Sequence, residues 1–353
     1  MPADSESAEI EGIDVPRVSA WLEANIPDAA GPFDFELVAG GRSNLTFKVT
    51  DSAGRNLVLR RPPTSHVLAT AHDMGREHKI ISALGPTPVP VAPALGFCDD
   101  EAINGRPFYV MGYVEGHILR DATTAEKVLT EDGRRAAGYD LVDVLAAIHA
   151  VDVDAVGLGD LARKEGYIER QLKRWYSQFK QSEAMTEGRS VKIVDEMHDF
   201  LAARIPDQGP AAIVHGDYRL DNTMLGDDGK VRAVLDWEIC TLGDPLADVG
   251  LLMVYWAEAG DENALMGIAP TASPGFPTRD ELRARYSDKS GRDPSQLDFY
   301  ISFGYWKLAC ILEGVYSRYA GGAMGGDRSA GFEGFAQQVA NLAEASKAAA
   351  ANL

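Results

Sequence analysis

The stretch His215-Gly-Asp-Tyr-Arg-Leu-Asp-Asn222, followed by Leu235-Asp-Trp-Glu238, decides the fold of this chain. It supplies an acid at position 217, an amide five residues later and a second acid at position 236. Asp217 can orient the proton of a substrate hydroxyl, while Asn222 and Asp236 offer the hard oxygen ligands that Mg²⁺ prefers. The pattern therefore predicts a site for phosphoryl transfer from a nucleotide.

The first of these stretches resembles the catalytic loop of the aminoglycoside phosphotransferase and choline kinase superfamily, whose members are relatives of the protein kinases. The family's loop reads HGDxxxxN, which residues 215–222 match in register. The resemblance implies that Asp217 is the catalytic base and that Asn222 and Asp236 bind Mg²⁺. It also implies that His215 supports the loop, with a proton shuttle as the alternative.

A further stretch, Gly243-Asp-Pro-Leu-Ala-Asp248, resembles the family segment whose Asp supports the backbone of the catalytic loop. A plain helix cap is the other interpretation of Asp248. The phrase Leu59-Arg-Arg-Pro-Pro63 is typical of the bacterial and acyl-CoA-dehydrogenase-associated branch of the family. The resemblance covers roughly residues 30 to 260.

The hydrophobic pattern changes its period along the chain. Short runs of β-forming residues separated by turn residues predict strands at 35–38, 46–50, 56–60, 95–97 and 108–113. Helical spacing predicts helices at 15–25, 74–84, 141–149, 167–179 and 191–204, and Thr278 to Glu281 form a capping-box pattern. We therefore expect an α+β, protein-kinase-like fold with two lobes, an antiparallel β N-terminal lobe with one main helix and a mainly helical C-terminal lobe. The expected ranges are 1–112 for the nucleotide-binding lobe and 113–353 for the lobe with the catalytic loop and acceptor site.

The N-terminal lobe carries the candidate residues for the triphosphate. The glycine-rich stretch Gly40 to Val49 offers Ser43 and Asn44 to phosphate oxygens, although such a stretch can also simply shape a hairpin. The resemblance places Arg60 where the family has a phosphate-binding lysine and Glu77 where it has the acidic partner. We expect an ion pair between Arg60 and Glu77, with an ordinary surface pair as the alternative.

The segment Tyr109-Val-Met-Gly-Tyr-Val-Glu-Gly116 resembles the strand and hinge that hold adenine in the family. A slot for a base needs apolar walls and main-chain hydrogen-bonding groups. The candidates are Met111, Gly112, Tyr113 and Val114, with Met224 or Leu225 as the floor. The two methionines could equally be core residues. The implied cofactors are ATP and Mg²⁺.

Composition excludes several classes of partner. The formal charge is −19 and the isoelectric point is near 4.8, which disfavours nucleic acid and anionic membranes because both reward Lys and Arg. The start of the sequence lacks a signal-peptide layout and no apolar run approaches a membrane span, so we expect a cytoplasmic protein. Cys98, Cys240 and Cys310 show no metal or disulfide spacing, which predicts inert thiols.

The expected partner is a small-molecule hydroxyl acceptor. The branch resemblance points toward a metabolite such as a hydroxyacyl thioester, which we place ahead of an aminoglycoside-like drug. We expect the walls of the acceptor site in the loop from Gly260 to Pro277 and near Trp175 and Tyr305-Trp306. The alternative is that these aromatic residues are ordinary core.

Two questions stay open at the level of sequence. Glu238 is either an acid that supports the metal site or a solvated side chain. The alternative function is a catalytically inactive nucleotide-binding pseudokinase, which Arg60 in the lysine position suggests. The complete set of Asp217, Asn222 and Asp236 argues against it. The sequence does not indicate an oligomeric state or a preference between ATP and GTP.

Overall fold

The computed structural model of the chain describes residues 10–39, 44–64, 73–261, 269–321 and 333–353. The chain forms two compact units. The first unit contains the N-terminal part up to Gly116 together with Arg232–Glu238. The second unit contains His117–Val231 and Ile239–Leu353. The sequence prediction placed a single boundary at 112 and did not assign 232–238 to the first unit.

The first unit is built on a five-stranded antiparallel sheet in the order β1-β2-β3-β5-β4. Its elements are α1 (Val15–Asn25), β1 (Asp34–Ala39), β2 (Leu45–Thr50), β3 (Asn56–Arg61), α2 (Met74–Leu84), β4 (Ala94–Cys98), α3 (Glu101–Asn104) and β5 (Phe108–Gly112). The predicted strands and the one main helix α2 are all present, with no end shifted by more than one residue.

Alternation along β3 separates the core of the first unit from its charged face. Leu57 and Leu59 are fully buried and pack with residues of β2, β5 and α1 such as Phe47, Val110 and Leu22. Because successive side chains of a strand point to opposite faces, Arg60 lies on the other face of the sheet.

Helix α2 begins at a capped end, since the Asp73 carboxylate accepts a hydrogen bond from the backbone N–H of Arg76. The cap fixes the first turn of the helix, which contains Glu77. Apolar residues of the same helix, Ile80, Ile81 and Leu84, are buried with it. Glu77 is therefore a buried carboxylate on an otherwise apolar helix face.

The second unit is mainly helical. Its elements are α4 (Ala122–Val128), α5 (Glu131–His149), α6 (Tyr167–Ala184), α7 (Lys192–Ala202), β6 (Ala212–Val214), β7 (Thr223–Leu225), β9 (Thr241–Gly243), α8 (Leu246–Tyr255), α9 (Arg279–Ser290), α10 (Leu297–Ala320) and α11 (Glu333–Ala349), while β8 (Val231–Val234) runs into the 232–238 segment. Strands β6 and β9 pair in antiparallel fashion, on either side of the catalytic loop in sequence. The α+β, protein-kinase-like fold class is confirmed.

Helix α10 is the central helix of the second unit, and it contacts α6, α7, α8 and α11. Trp306 on this helix is fully buried and donates its indole N–H to the carbonyl of Val194. It is therefore a core residue, the alternative left open by the sequence, and it cannot wall an acceptor site. Helix α9 begins with the predicted capping box between Thr278 and Glu281.

Two expectations drawn from composition can be compared with the structure. All three cysteines are buried thiols, as predicted. No helix in the described ranges is both long enough and apolar enough to cross a bilayer.

Candidate active site

The first unit contains a buried ion-pair cluster centred on Arg60. Its Nη1 lies 3.2 Å from Glu77 Oε2, and its Nη2 lies 2.8 Å from Asp236 Oδ1. Only 12% of the Arg60 side chain and 1% of the Glu77 side chain are exposed. The predicted Arg60–Glu77 ion pair is thus confirmed, and the surface-pair alternative is wrong.

The cluster explains how an arginine can serve in this position. A lysine ammonium is a point charge, whereas the planar guanidinium can direct separate N–H groups to two carboxylates. Burial alone would lower the pKa of Arg60, but Glu77 and Asp236 raise that pKa above its ordinary value. The guanidinium therefore stays charged.

Glu77 is held by several donors. It accepts hydrogen bonds from the hydroxyl of Tyr109 at 2.9 Å and from Nδ2 of Asn44 at 2.9 Å. Burial raises the pKa of Glu77, and Arg60 and the Tyr109 hydroxyl oppose that rise. Register places Tyr109 of β5 directly opposite Arg60 of β3, so the sheet itself brings the phenol to the ion pair.

Asn44 connects two acids of the first unit. Its Nδ2 also donates to Glu238 Oε2 at 3.3 Å, while its buried Oδ1 finds no partner among the described residues. Glu238 is therefore a hydrogen-bonded acid of this cluster and not merely a solvated side chain. Ser43 lies outside the described residues, so the phosphate roles of Ser43 and Asn44 stay predictions.

Asp236 adopts a backbone conformation that few residues tolerate. Its φ is +60°, in the left-handed region that Asp and Asn enter more readily than other non-glycine residues. About a third of its side chain is exposed, and one carboxylate oxygen binds Arg60. Its Oδ2 accepts no hydrogen bond from the described part of the chain and is the atom through which this residue could bind a cation.

The candidate adenine residues in the first unit lie at the end of β5. The Gly112 N–H already donates to the carbonyl of Pro93 at 2.8 Å, so it is not available to a base. Tyr113 is exposed, with Lys48 Nζ 5.6 Å from its ring centroid. Met111 and Val114 are half-buried. The roles of these four residues in adenine binding stay predictions.

The two candidate floor residues lie in the second unit. Leu225 is fully buried, and its backbone N–H and C=O both bond to His117, at 2.8 and 2.7 Å. Met224 is half-buried on the same strand, β7. The roles of both in adenine binding stay predictions.

Asp248 holds the backbone of the catalytic loop in the second unit. Its Oδ2 accepts the N–H of His215 at 2.6 Å, and its Oδ1 accepts the N–H of Gly216 at 2.8 Å. Burial would raise the pKa of Asp248, but the hydrogen bond and charge of His149 and the backbone bonds hold that pKa below its ordinary value. The predicted supporting contact is present, and the plain helix cap is not the role of this residue.

Asp217 and Asn222 are joined within the loop. Asn222 Nδ2 donates to the Asp217 carbonyl and to Asp217 Oδ2, both at 2.8 Å. The amide nitrogen of Asn222 is therefore used in these two hydrogen bonds. Its amide oxygen accepts no hydrogen bond from the described residues. The Asp217 carboxylate thus has a fixed direction, and Asn222 keeps an oxygen ligand available.

The environment of Asp217 suits a proton acceptor. Burial raises the pKa of Asp217, and Arg219, His215, Asn222 and Lys307 oppose that rise. Arg219 Nε lies 3.6 Å from Asp217 Oδ2 and its guanidinium stacks 4.7 Å from the Tyr255 ring centroid. A raised pKa makes the carboxylate a better base for a hydroxyl proton.

His215 is fully buried and its Nδ1 accepts the N–H of Asp217 at 3.3 Å. A ring committed to the loop backbone favours the supporting role over a proton shuttle. In the second unit the loop is thus fixed from two sides, by His215 on the N–H of Asp217 and by Asp248 on the two preceding amides.

Two residues, one in each unit, offer oxygen atoms of the kind that Mg²⁺ prefers. Within the described residues, no group of three or more His, Cys, Asp and Glu side chains could hold a metal ion. Mg²⁺ in nucleotide sites uses one or two protein oxygens and takes its other ligands from phosphates and water. Each unit offers one such oxygen, Asp236 Oδ2 in the first unit and the amide oxygen of Asn222 in the second. The metal roles of both residues stay predictions.

Sequence reasoning missed several residues of these clusters. Tyr109 was treated as part of the adenine strand, and its bond to Glu77 follows only from strand register. Lys307, which contacts the catalytic loop, carried a usable signal, because it is a single lysine within the apolar stretch Phe303-Gly-Tyr-Trp-Lys-Leu-Ala-Cys310. Charged residues are almost never fully buried unless they are paired.

Comparison with known proteins identifies the family. The family model for the phosphotransferase enzyme family matches residues 34–298. The chain belongs to this family. The resemblance to the aminoglycoside phosphotransferase and choline kinase superfamily is confirmed.

The relatives include larger proteins. Acyl-CoA dehydrogenase family member 10 of Mus musculus is 35% identical over 295 residues, which cover 82% of this chain and 27% of that protein. The chain spans between 27% and 40% of the length of such curated relatives. The match confirms the predicted branch.

Solved structures agree with this assignment. A crystal structure from Ralstonia eutropha, of a protein named for the aminoglycoside phosphotransferases, is 33% identical, covers 95% of this chain and 98% of that chain, and has a TM-score of 0.80. A complex of aminoglycoside phosphotransferase APH(4)-Ia with AMP-PNP and hygromycin B is 15% identical, covers 95% and 99% of the two chains, and has a TM-score of 0.61. The second likeness shows the fold alone.

Proposed function

We propose that this member of the phosphotransferase family transfers the γ-phosphoryl group of ATP to a hydroxyl of a small molecule in the presence of Mg²⁺. The observation that carries the proposal is the Asp217–Asn222 pair, held at 2.8 Å within a loop whose amides are bound by Asp248. Such preorganisation is what phosphoryl transfer demands of a protein, because positioning and charge neutralisation supply most of the catalysis.

The roles of the residues follow from their chemistry. Asp217 orients the acceptor hydroxyl and takes its proton. Asn222 and Asp236 are the residues that would hold Mg²⁺, which would neutralise charge on the phosphates. Arg60 places positive charge at the phosphates while Glu77 fixes its direction. His215 and Asp248 keep the loop in its reactive conformation.

We propose a hydroxyacyl thioester as the acceptor, ahead of an aminoglycoside. The proposal is supported by relatives that are named as acyl-CoA dehydrogenase family members. It is also supported by the exposed cation near Trp175, where the Arg174 guanidinium lies 5.0 Å from the ring centroid. A polycationic drug would meet like charge there, whereas the phosphates of a coenzyme A ester would not.

The test is Mg²⁺-dependent consumption of ATP by the wild type and by Asp217→Asn, against hydroxyacyl-CoA esters, amino alcohols and aminoglycosides. We expect turnover with a hydroxyacyl-CoA ester and a loss of about 1,000-fold or more in the variant, with ATP affinity retained. Asp288→Asn, an exposed acid of the same unit, is the matched control and should keep full activity.

Three results would contradict all or part of this proposal. Turnover that survives in Asp217→Asn would remove that residue from its role. Activity with aminoglycosides and none with hydroxyacyl esters would reverse the order of acceptors. ATP binding without turnover across the whole panel would support the pseudokinase alternative.

A further inference from the structure

Lys307 is a buried cation that the roles above do not use. Only 7% of the residue is exposed, and its Nζ donates to the carbonyl of Gly216 at 3.1 Å. No carboxylate in the described ranges lies within ion-pair distance of it, and burial lowers the pKa of its ammonium. A buried charge without a carboxylate partner costs several kcal/mol, so packing alone does not account for a lysine here.

The carbonyl that Lys307 contacts belongs to the peptide group immediately before the proposed base. The oxygen of this peptide is bound by Lys307, and its nitrogen, that of Asp217, donates to His215 Nδ1. The preceding N–H, that of Gly216, is bound by Asp248. The peptide joining Gly216 and Asp217 is therefore held at both ends.

The local backbone makes this contact consequential. Gly216 has a φ of +87°, a conformation that glycine enters easily and leaves easily. Rotation of the Gly216–Asp217 peptide would redirect the Asp217 side chain. A charged donor on the carbonyl resists that rotation more strongly than a neutral one, since charge-assisted hydrogen bonds are roughly twice as strong.

We propose that Lys307 is a positioning residue for phosphoryl transfer, which fixes the Gly216–Asp217 peptide and thereby the direction of the Asp217 carboxylate. The inference rests on the proposed kinase function. It assigns to α10 a part in the reaction that does not require contact with ATP or with the acceptor. A methionine has nearly the same length and would suit the surrounding apolar residues, so the folded state does not need the charge.

The experiment compares Lys307→Met with the wild type. We expect kcat to fall by about 10- to 100-fold, the loss typical of a misplaced catalytic group, while KM for ATP changes by less than about twofold. The melting temperature should stay the same or rise, because a buried charge is removed. Arg318→Met removes an exposed cation from the same helix and should leave kcat and melting temperature unchanged.

Two outcomes of the kinetic and thermal comparison would overturn the inference. One is a kcat within about twofold of the wild type. The other is a melting temperature lower by more than about 5 °C, which would show that Lys307 mainly stabilises the fold.

Failure of the proposed function would look different, because then the wild type itself would not turn over any acceptor. In that case hydrogen–deuterium exchange tests whether Lys307 fixes the loop. We expect amide exchange in residues 215–218 to become about tenfold faster in Lys307→Met, with α10 and α8 unchanged. Unchanged exchange in the loop would overturn the inference whatever the activity.

Discussion

Replacing Arg60 with methionine should lower the free energy of unfolding, because the buried carboxylate of Glu77 would lose its cation. The guanidinium lies 3.2 Å from Glu77 and 2.8 Å from Asp236, and Glu77 is almost completely buried. Removing one partner of a buried ion pair costs about 3–5 kcal/mol. Because Tyr109 and Asn44 still donate to Glu77, we expect the lower end, about 3 kcal/mol of unfolding free energy.

The pH dependence gives this prediction a second test. The pKa of Glu77 is raised by burial, and losing Arg60 raises it further. A raised folded-state pKa favours the folded protein at low pH, and that contribution is lost as the pH rises through the folded-state pKa. The loss of stability in Arg60→Met should therefore be larger at pH 8 than at pH 5.

The assay is urea unfolding at the two pH values, with the free energy taken by linear extrapolation. Arg17→Met, which removes an exposed partner of Asp14, is the matched control and should cost less than about 1 kcal/mol. Adding Glu77→Gln to Arg60→Met should recover part of the loss. A cost below about 1 kcal/mol, or a cost independent of pH, would refute the reasoning.

Three further predictions concern Asp248, Gly216 and Asp236. Asp248→Asn replaces one backbone acceptor with a donor and should cost about 2–4 kcal/mol in urea titrations. Because the folded-state pKa of Asp248 is depressed, the excess stability of the wild type should begin to fall at about pH 4 and be lost as the pH falls through that lower pKa. A constant difference would contradict this. Gly216→Ala brings a Cβ within 3.0 Å of Ile239 at a φ of +87° and should cost about 2–3 kcal/mol, against about 1 kcal/mol for Gly105→Ala, which has open space at a φ of +68°. Equal costs would show that the contact with Ile239 is unimportant. Asn at position 236 tolerates the left-handed backbone, so the free energy of unfolding of Asp236→Asn should stay within about 1 kcal/mol of the wild type. Its Mg²⁺-dependent turnover should fall by about 100-fold. Retained turnover would argue against a metal role.

The elements with a clear period were predictable from sequence. The strands of the first unit and helix α2 appear within one residue of their predicted positions. Helix α5 is longer than predicted, because the stretch from Glu131 to Asp140 carries polar residues and two glycines that hide the helical spacing. A capping contact from Thr130 stabilises that start, which depends on a side-chain conformation and not on periodicity.

The candidate site was predictable only where a motif specified it. The pairing of Arg60 with Glu77 followed from position in the motif, but the second carboxylate on Arg60 did not. Asp236 lies 176 residues further along the chain, and no local pattern reports which residues meet at that separation. Lys307 was missed for the same reason, since its partner Gly216 is 91 residues away.

The assignment of Arg232–Glu238 to the first unit has a practical consequence for anyone dissecting this chain. A fragment that stops at Gly116 would lack the N–H of Val234 that bonds to the carbonyl of Pro90, the carboxylate that pairs with Arg60 and the acid that accepts from Asn44. In such a fragment the buried Arg60 would keep Glu77 as a partner and lose Asp236. An independently folding version of the first unit would therefore have to be assembled from two sequence-distant parts, by supplying residues 232–238 as a separate peptide or by rejoining them through a designed linker.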